Sequence, residues 1–129
     1  MSIDKFLKGI EEFNSELFFE CHDTLEEIWN GEKDPEIKKF YHGLIHITVG
    51  FYHLTNFNFK GAKSQFKKAI DKLDNYPDIY MNIKLSELLS NVKLWLKKIE
   101  NTPNTASFNL NPEDLPKIKF ANENENRKI

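Results

Sequence analysis

A histidine and several carboxylates lie together in the stretch FFECHDTLEEIW, residues 18–29. If this stretch is helical, His22 and Glu26 are one turn apart and can touch, with Asp23 farther round the same side. A carboxylate beside an imidazole raises its basicity and fixes its tautomer. We therefore take His22, Glu26 and Asp23 as candidate catalytic residues, for proton transfer or for activation of a metal-bound water.

Three more histidines share one stripe farther along the chain. His42, His46 and His53 fall within an arc of about 40° when wound as an α-helix, with Val49 about 20° outside it. If this stripe faces the helix that carries His22, a divalent metal is the one cofactor that the residues suggest. Its candidate ligands are His22, Glu26, His42 and His46. The polar cluster predicted from both helices comprises Glu20, His22, Asp23, Glu26, Trp29, His42, His46 and His53.

A structural role for these histidines is the alternative. An otherwise apolar helix needs one face for solvent, and a buried His22 could be satisfied by hydrogen bonds within the core. The chain has no Glu-x-x-His pair of the di-iron type and no His-Glu-x-x-His sequence. Cys21 adjoins His22 but points in another direction on a helix, so we predict a small buried residue there and no nucleophile.

The spacing of apolar residues indicates that helices position these side chains. Five are predicted, the first ending near residue 14 and the others at about residues 15–30, 35–56, 58–76 and 78–100. Asp34 is the expected N-cap of the third helix, with Pro35 at its first position. That helix is apolar around most of its circumference, which is typical of a helix in the middle of a bundle. We expect no pair of strands.

The prediction for the whole chain is an all-α, single-domain bundle of about five antiparallel helices joined by short links. The bundle occupies residues 1–100. Residues 101–120 retain a few apolar side chains and are expected to lie as an extended arm on the bundle. Residues 121–129 have almost nothing to bury and are expected to be disordered.

The composition is that of a soluble globular protein, with 40% hydrophobic residues and a formal net charge of −2. The charge is uneven: residues 1–36 hold eleven acids and three lysines, whereas residues 37–100 hold eleven lysines and five acids. The sequence contains one arginine, Arg127 in the predicted tail, so nucleic acid is not an expected partner. One cysteine and no membrane-length apolar run indicate a cytoplasmic protein with no membrane association.

Residues 50–70, GFYHLTNFNFKGAKSQFKKAI, resemble one tetratricopeptide hairpin. In that repeat, small residues let two antiparallel helices approach closely. The matching positions are Gly50, Ala62, Phe66 and Ala69. Because the chain holds one copy, the resemblance predicts a helix hairpin rather than a solenoid.

A broader resemblance covers residues 13–74. The segments FN, FFECHDTLEEIW, FYHGLIHITVGFYH and NFKGA occur in the order found in the family called domain of unknown function 309. The resemblance implies a small all-helical bundle with no established activity. Its pattern falls on Glu20, His22, Leu25, Glu26, Trp29, Gly43, Leu44 and Ile45. Asp23 stands where the family usually has Glu, and His42 stands where it usually has Gln, so this chain has a titratable imidazole in place of that amide.

Two functions are compatible with these residues. The first is a binding or assembly module, a homodimer or a protein-binding bundle, in which the His/Glu cluster fixes the register of the helices. The second is an enzyme of the hydrolase type, metal-dependent or using the histidine and carboxylates alone, with Trp29 and Tyr41 as nonpolar walls. Whether the protein is an enzyme, and on what substrate, is left open by the sequence.

Overall fold

The computed structural model describes residues 2–102 and 110–122, and it confirms the all-α class. Each of its five helices packs against the next. The helices are α1 (Ser2–Asn14), α2 (Phe18–Gly31), α3 (Pro35–Thr55), α4 (Phe59–Leu73) and α5 (Leu85–Glu100). Two short strands, β1 (Ile79–Tyr80) and β2 (Ile83–Lys84), lie between α4 and α5. Within the described ranges, no helix is long and apolar enough to cross a membrane.

Helix α3 is the centre of the bundle, in contact with both α2 and α4. It begins as predicted: the Asp34 carboxylate accepts hydrogen bonds from the backbone N–H groups of Glu36 and Ile37, at 2.9 and 3.2 Å, and Pro35 occupies the first turn. Most of its length from Phe40 onward is buried, which agrees with its nearly continuous apolar pattern.

Helices α3 and α4 approach each other closely because α3 carries glycine at two contact points. A methyl group on Gly43 would overlap with the buried Leu73 side chain, and one on Gly50 would overlap with the ring of Phe66. The absence of a Cβ therefore sets the distance between the two helices. The two helices pack as closely as the small residues of the hairpin predict. The resemblance of this hairpin to a tetratricopeptide repeat stays a prediction.

The boundary between α1 and α2 differs from the prediction. Helix α2 begins at Phe18 and not at residue 15, because the chain turns through Glu16, whose φ is 63°. The backbone N–H of Glu16 donates to the carbonyl of Phe13 at 2.9 Å, which closes the end of α1. Thr24, on the same helix, is buried.

The predicted start of the fifth helix is wrong. Residues 79–84 form an antiparallel hairpin, in which Tyr80 pairs with Ile83, and α5 starts at Leu85. Met81 and Asn82 make the two-residue turn with φ values of 49° and 65°, the combination that suits the twist of a tight hairpin. The Met81 side chain is half-buried. The expectation of no strand pair is therefore corrected.

Residues 110–122, here called the C-terminal segment, extend this hairpin. Ile83 forms an antiparallel bridge with Phe120, and the backbone N–H of Lys84 donates to the carbonyl of Lys119 at 2.8 Å. Leu115 and Ile118 are buried against the helices. Residues 103–109 and 123–129 lie outside the described residues, and so does most of the predicted disordered tail.

Candidate functional site

His22 lies between two carboxylates on α2. Its Nδ1 is 3.3 Å from Asp23 Oδ1, and its Nε2 is 3.8 Å from Glu26 Oε2. One ligand atom from each of the three residues falls within 4.8 Å of the others, close enough to share a cation. The His22 side chain is 30% exposed, so the three groups form a rim that solvent reaches. We call His22, Asp23 and Glu26 the α2 triad.

An apolar groove of about 170 Å³ opens beside the triad, between α2 and α3. Phe19 and Tyr52 form one exposed side of it, with their ring centroids 6.1 Å apart. Phe19 is 58% exposed, an uncommon state for so large an apolar side chain. The groove is lined by Phe18, Phe19, His22, Val49, Tyr52 and His53. The groove thus has an apolar lining, and the carboxylates of Asp23 and Glu26 lie at its rim, beside His22.

A second cluster lies toward the other end of the two helices. Trp29 of α2 packs against His42 of α3 at 4.8 Å between ring centroids, and His42 stacks on His46 at 4.5 Å. His46 is buried, and its Nδ1 lies 2.8 Å from Oε1 of Gln65 on α4. Because an amide oxygen only accepts, Nδ1 carries the hydrogen and Nε2 bears the lone pair. We call His42 and His46 the α3 histidine pair.

The surroundings of the histidine pair disfavour its protonation. Burial lowers the pKa of His42, and the neighbouring His46 and the lysines Lys72, Lys38 and Lys68 lower it further. Burial also lowers the pKa of His46, although its hydrogen bond to Gln65 acts in the opposite direction. Both imidazoles are consequently held in the neutral form, which is the form that binds metals and accepts protons.

The predicted polar cluster is therefore divided in two. The triad brings His22, Asp23 and Glu26 together, but among the described residues its ligand group includes no histidine of α3. The remaining members are placed as follows: Trp29 joins His42 and His46, His53 lies beside the groove with its Nδ1 3.3 Å from Asn58 Nδ2, and Glu20 is exposed in the first turn of α2. The single site proposed across both helices becomes two neighbouring sites.

Two further residues complete the description. Gln65, which orients His46, was missed, although it follows Ala62 by three residues and precedes Ala69 by four, on the inner stripe of α4. Cys21 is buried as predicted, with its Sγ 3.6 Å from Thr48 Oγ1. Burial raises the pKa of Cys21 to about 12, which leaves the thiol protonated and unreactive at neutral pH.

The model of the family described as a domain of unknown function (DUF309) matches residues 6–65. The matched residues, just under half of the chain, are here called the DUF309 region. The match confirms the resemblance drawn from the sequence motifs, and the matched range starts within α1 and ends at Gln65 of α4. The DUF309 region thus contains the α2 triad, the groove and the α3 histidine pair with its partner.

Two relatives extend the comparison. An uncharacterized protein of Aquifex aeolicus is 31% identical over 104 residues, which cover 79% of this chain. The uncharacterized protein YpuF of Bacillus subtilis is 36% identical over 53 residues, which cover 41% of this chain. The aligned parts make up 31% and 30% of those two proteins, so this chain matches about a third of each.

Proposed function

We propose that this chain is an assembly module that forms a homodimer through the groove between α2 and α3. The observation that carries the proposal is the pairing of an apolar groove with an acidic rim and, on the same chain, an exposed aromatic residue beside lysines. The groove's volume of about 170 Å³ is of the order that accepts one aromatic ring, since a cavity of roughly 150 Å³ holds benzene.

Phe57 is the residue that we propose enters the groove of a second copy. It is 56% exposed in the turn between α3 and α4, and its φ of 59° holds it in a left-handed conformation. A bulky residue in that conformation is uncommon and is unlike the Asn or Gly that such a turn favours. An exposed aromatic anchor that fills an apolar pocket is the usual source of affinity at a protein interface.

Charge complementarity supports the same arrangement. The exposed acids of α2 include Asp23 and Glu26, and this helix has no lysine or arginine. Helix α4 begins just after Phe57 and carries five lysines, of which Lys60 is the nearest to Phe57 along the chain. If Phe57 enters the groove of a second copy, Lys60 comes to the carboxylates at its rim. The contact is reciprocal, so two copies form a closed dimer.

Sedimentation of the purified chain over a wide concentration range tests the proposal. The wild type is expected to sediment as a dimer that weakens as salt is raised, because ion pairs at the rim are screened. Phe57→Ser is expected to give a monomer. Leu94→Ser is the matched control, because Leu94 is an exposed large apolar residue on α5, away from the groove. A monomeric wild type, or a Phe57→Ser variant that dimerises normally, would refute the proposal.

A charge exchange tests the orientation of the interface. Lys60→Glu alone is expected to weaken the dimer, and adding Glu26→Lys is expected to restore it, since each reversed charge then meets its opposite. Failure of the second change to restore association would mean that Lys60 and Glu26 do not meet.

The α2 triad favours a second candidate function, a metal-dependent or histidine/carboxylate hydrolase. The favouring observation is that ligand atoms of His22, Asp23 and Glu26 lie within 4.8 Å of one another beside an apolar groove. A carboxylate there would orient His22 or activate a water. A calorimetric titration with Zn²⁺, repeated on an Asp23→Asn/Glu26→Gln variant, tests the metal-dependent form. Stoichiometric binding that this variant abolishes would support it.

A further inference from the structure

We infer that the α3 histidine pair is a binding site for a borderline divalent transition metal, such as Cu²⁺ or Zn²⁺, separate from the α2 triad. The first observation concerns His46. It is nine-tenths buried, and its Nε2 is fully buried without a hydrogen-bond partner. A buried imidazole nitrogen without a partner is costly in a folded protein, and a ligand that it could bind would relieve that cost.

The hydrogen bond on the other side of the ring prepares His46 for this role. Nδ1 donates its hydrogen to Gln65 Oε1 at 2.8 Å, so the free lone pair is on Nε2. Histidines that bind metals almost always donate their other ring N–H to an oxygen, which fixes both the tautomer and the direction of the lone pair. Gln65 provides that second hydrogen bond in this chain.

The second ligand is His42, one helical turn before His46. Two histidines four residues apart on a helix lie on the same face, which is the spacing of the two histidines of helical zinc sites. The rings of His42 and His46 are stacked with centroids 4.5 Å apart. For both rings to bind one ion the stacked pair has to open, and we expect the partly exposed His42 to be the ring that rotates.

Three lysines lie near this site: Lys68 and Lys72 of α4 act electrostatically on both imidazoles, and Lys38 acts on His42. The same positive charges repel a dication, which limits affinity. Cu²⁺ is expected to bind more tightly than Zn²⁺, because the affinity of imidazole ligands for divalent first-row metals is highest for Cu²⁺.

Calorimetric titration of the chelator-treated full chain with Cu²⁺ and with Zn²⁺ tests the inference. We expect one metal per chain, and we expect His42→Gln to weaken binding at least about tenfold. His42 is partly exposed, so this variant is expected to fold. His53→Gln and Phe57→Ser are controls that should bind as the wild type does, which separates metal binding from dimer formation.

Two further measurements exclude a merely structural role for the pair. Electron paramagnetic resonance of the Cu²⁺ complex is expected to show two coordinated imidazole nitrogens in the wild type and one in His42→Gln. Lys72→Gln is expected to tighten binding, because it removes a competing positive charge. The inference is overturned if the wild type binds neither metal, if His42→Gln binds equally well, or if His22→Gln rather than His42→Gln abolishes binding, which would assign the metal to the triad.

Discussion

Asn14 and Ile118 are joined by two hydrogen bonds, both made by the side-chain amide of Asn14. Its Nδ2 donates to the carbonyl of Ile118 at 3.0 Å, and its Oδ1 accepts from the backbone N–H of Ile118 at 2.7 Å. The Nζ of Lys117 donates to the backbone carbonyl of Asn14 at 2.7 Å. Asn14, the last residue of α1, therefore fastens the C-terminal segment to the bundle.

Replacing Asn14 by Ala is expected to detach this segment. The variant loses two partly buried hydrogen bonds, each worth about 0.5–1.5 kcal/mol, so the free energy of unfolding should fall by roughly 1–3 kcal/mol. Urea denaturation measures that loss, and hydrogen exchange should show faster exchange at the amide of Ile118. Asn56→Ala is the control, since Asn56 is exposed and donates one bond to Tyr52. Unchanged protection of Ile118 in the Asn14→Ala variant would contradict the role assigned to Asn14.

Gly50→Ala is expected to push α3 and α4 apart. The added methyl group would overlap with the buried ring of Phe66, and overpacking of this kind costs roughly 1–3 kcal/mol. Gly31→Ala is the matched control: nothing lies within 4 Å of a methyl group there, so stability should be unchanged or raised by up to about 1 kcal/mol. Thermal or urea denaturation of the two variants gives the comparison.

A double-mutant cycle identifies the cause of the Gly50→Ala effect. In a Phe66→Leu background the ring that would be struck is gone, so Gly50→Ala should cost less there than in the wild type. An equal cost in both backgrounds would show that the glycine matters for some reason other than the close approach to Phe66.

Apolar periodicity predicts each helix that carries the two clusters, but it does not give the register between α2 and α3, and so the two clusters were predicted as one. Phe19 lies opposite Tyr52 and Trp29 lies opposite His42, so ten residues forward along α2 correspond to ten residues back along α3. In this antiparallel register His22 meets the later part of α3. Helical periodicity places residues on a face, whereas their height along a neighbouring helix depends on the loop and the packing.

The hairpin at residues 79–84 could not be predicted from local pattern alone. Its turn uses Met81 and Asn82 where Asn-Gly or Asp-Gly would be the usual signal. Part of its support is distant in sequence, because Ile83 bridges to Phe120 and the carbonyl of Asn82 accepts from the N–H of Ala121 at 2.8 Å. Pairing with residues far along the chain thus favours strands in a stretch whose apolar residues have helical spacing.

His46 is expected to make stability depend on pH below neutrality. Burial lowers its pKa in the folded chain beneath the ordinary 6.5, while Lys68 and Lys72 act in the same direction and Gln65 opposes them. As pH falls below 6.5, the unfolded chain therefore binds a proton that the folded chain does not, and the free energy of unfolding decreases. His42, whose pKa is lowered for the same principal reason, contributes in the same pH range.

Urea denaturation from about pH 7.5 to about pH 5 measures this loss, with carboxylates contributing increasingly at the acidic end. His46→Gln removes the group, so its loss of stability over that range should be smaller than that of the wild type, even if the variant is less stable throughout. His53→Gln is the matched control, because it keeps the buried pair and should lose as much as the wild type. Parallel curves for the wild type and His46→Gln would mean that His46 binds its proton equally in the folded and unfolded chains.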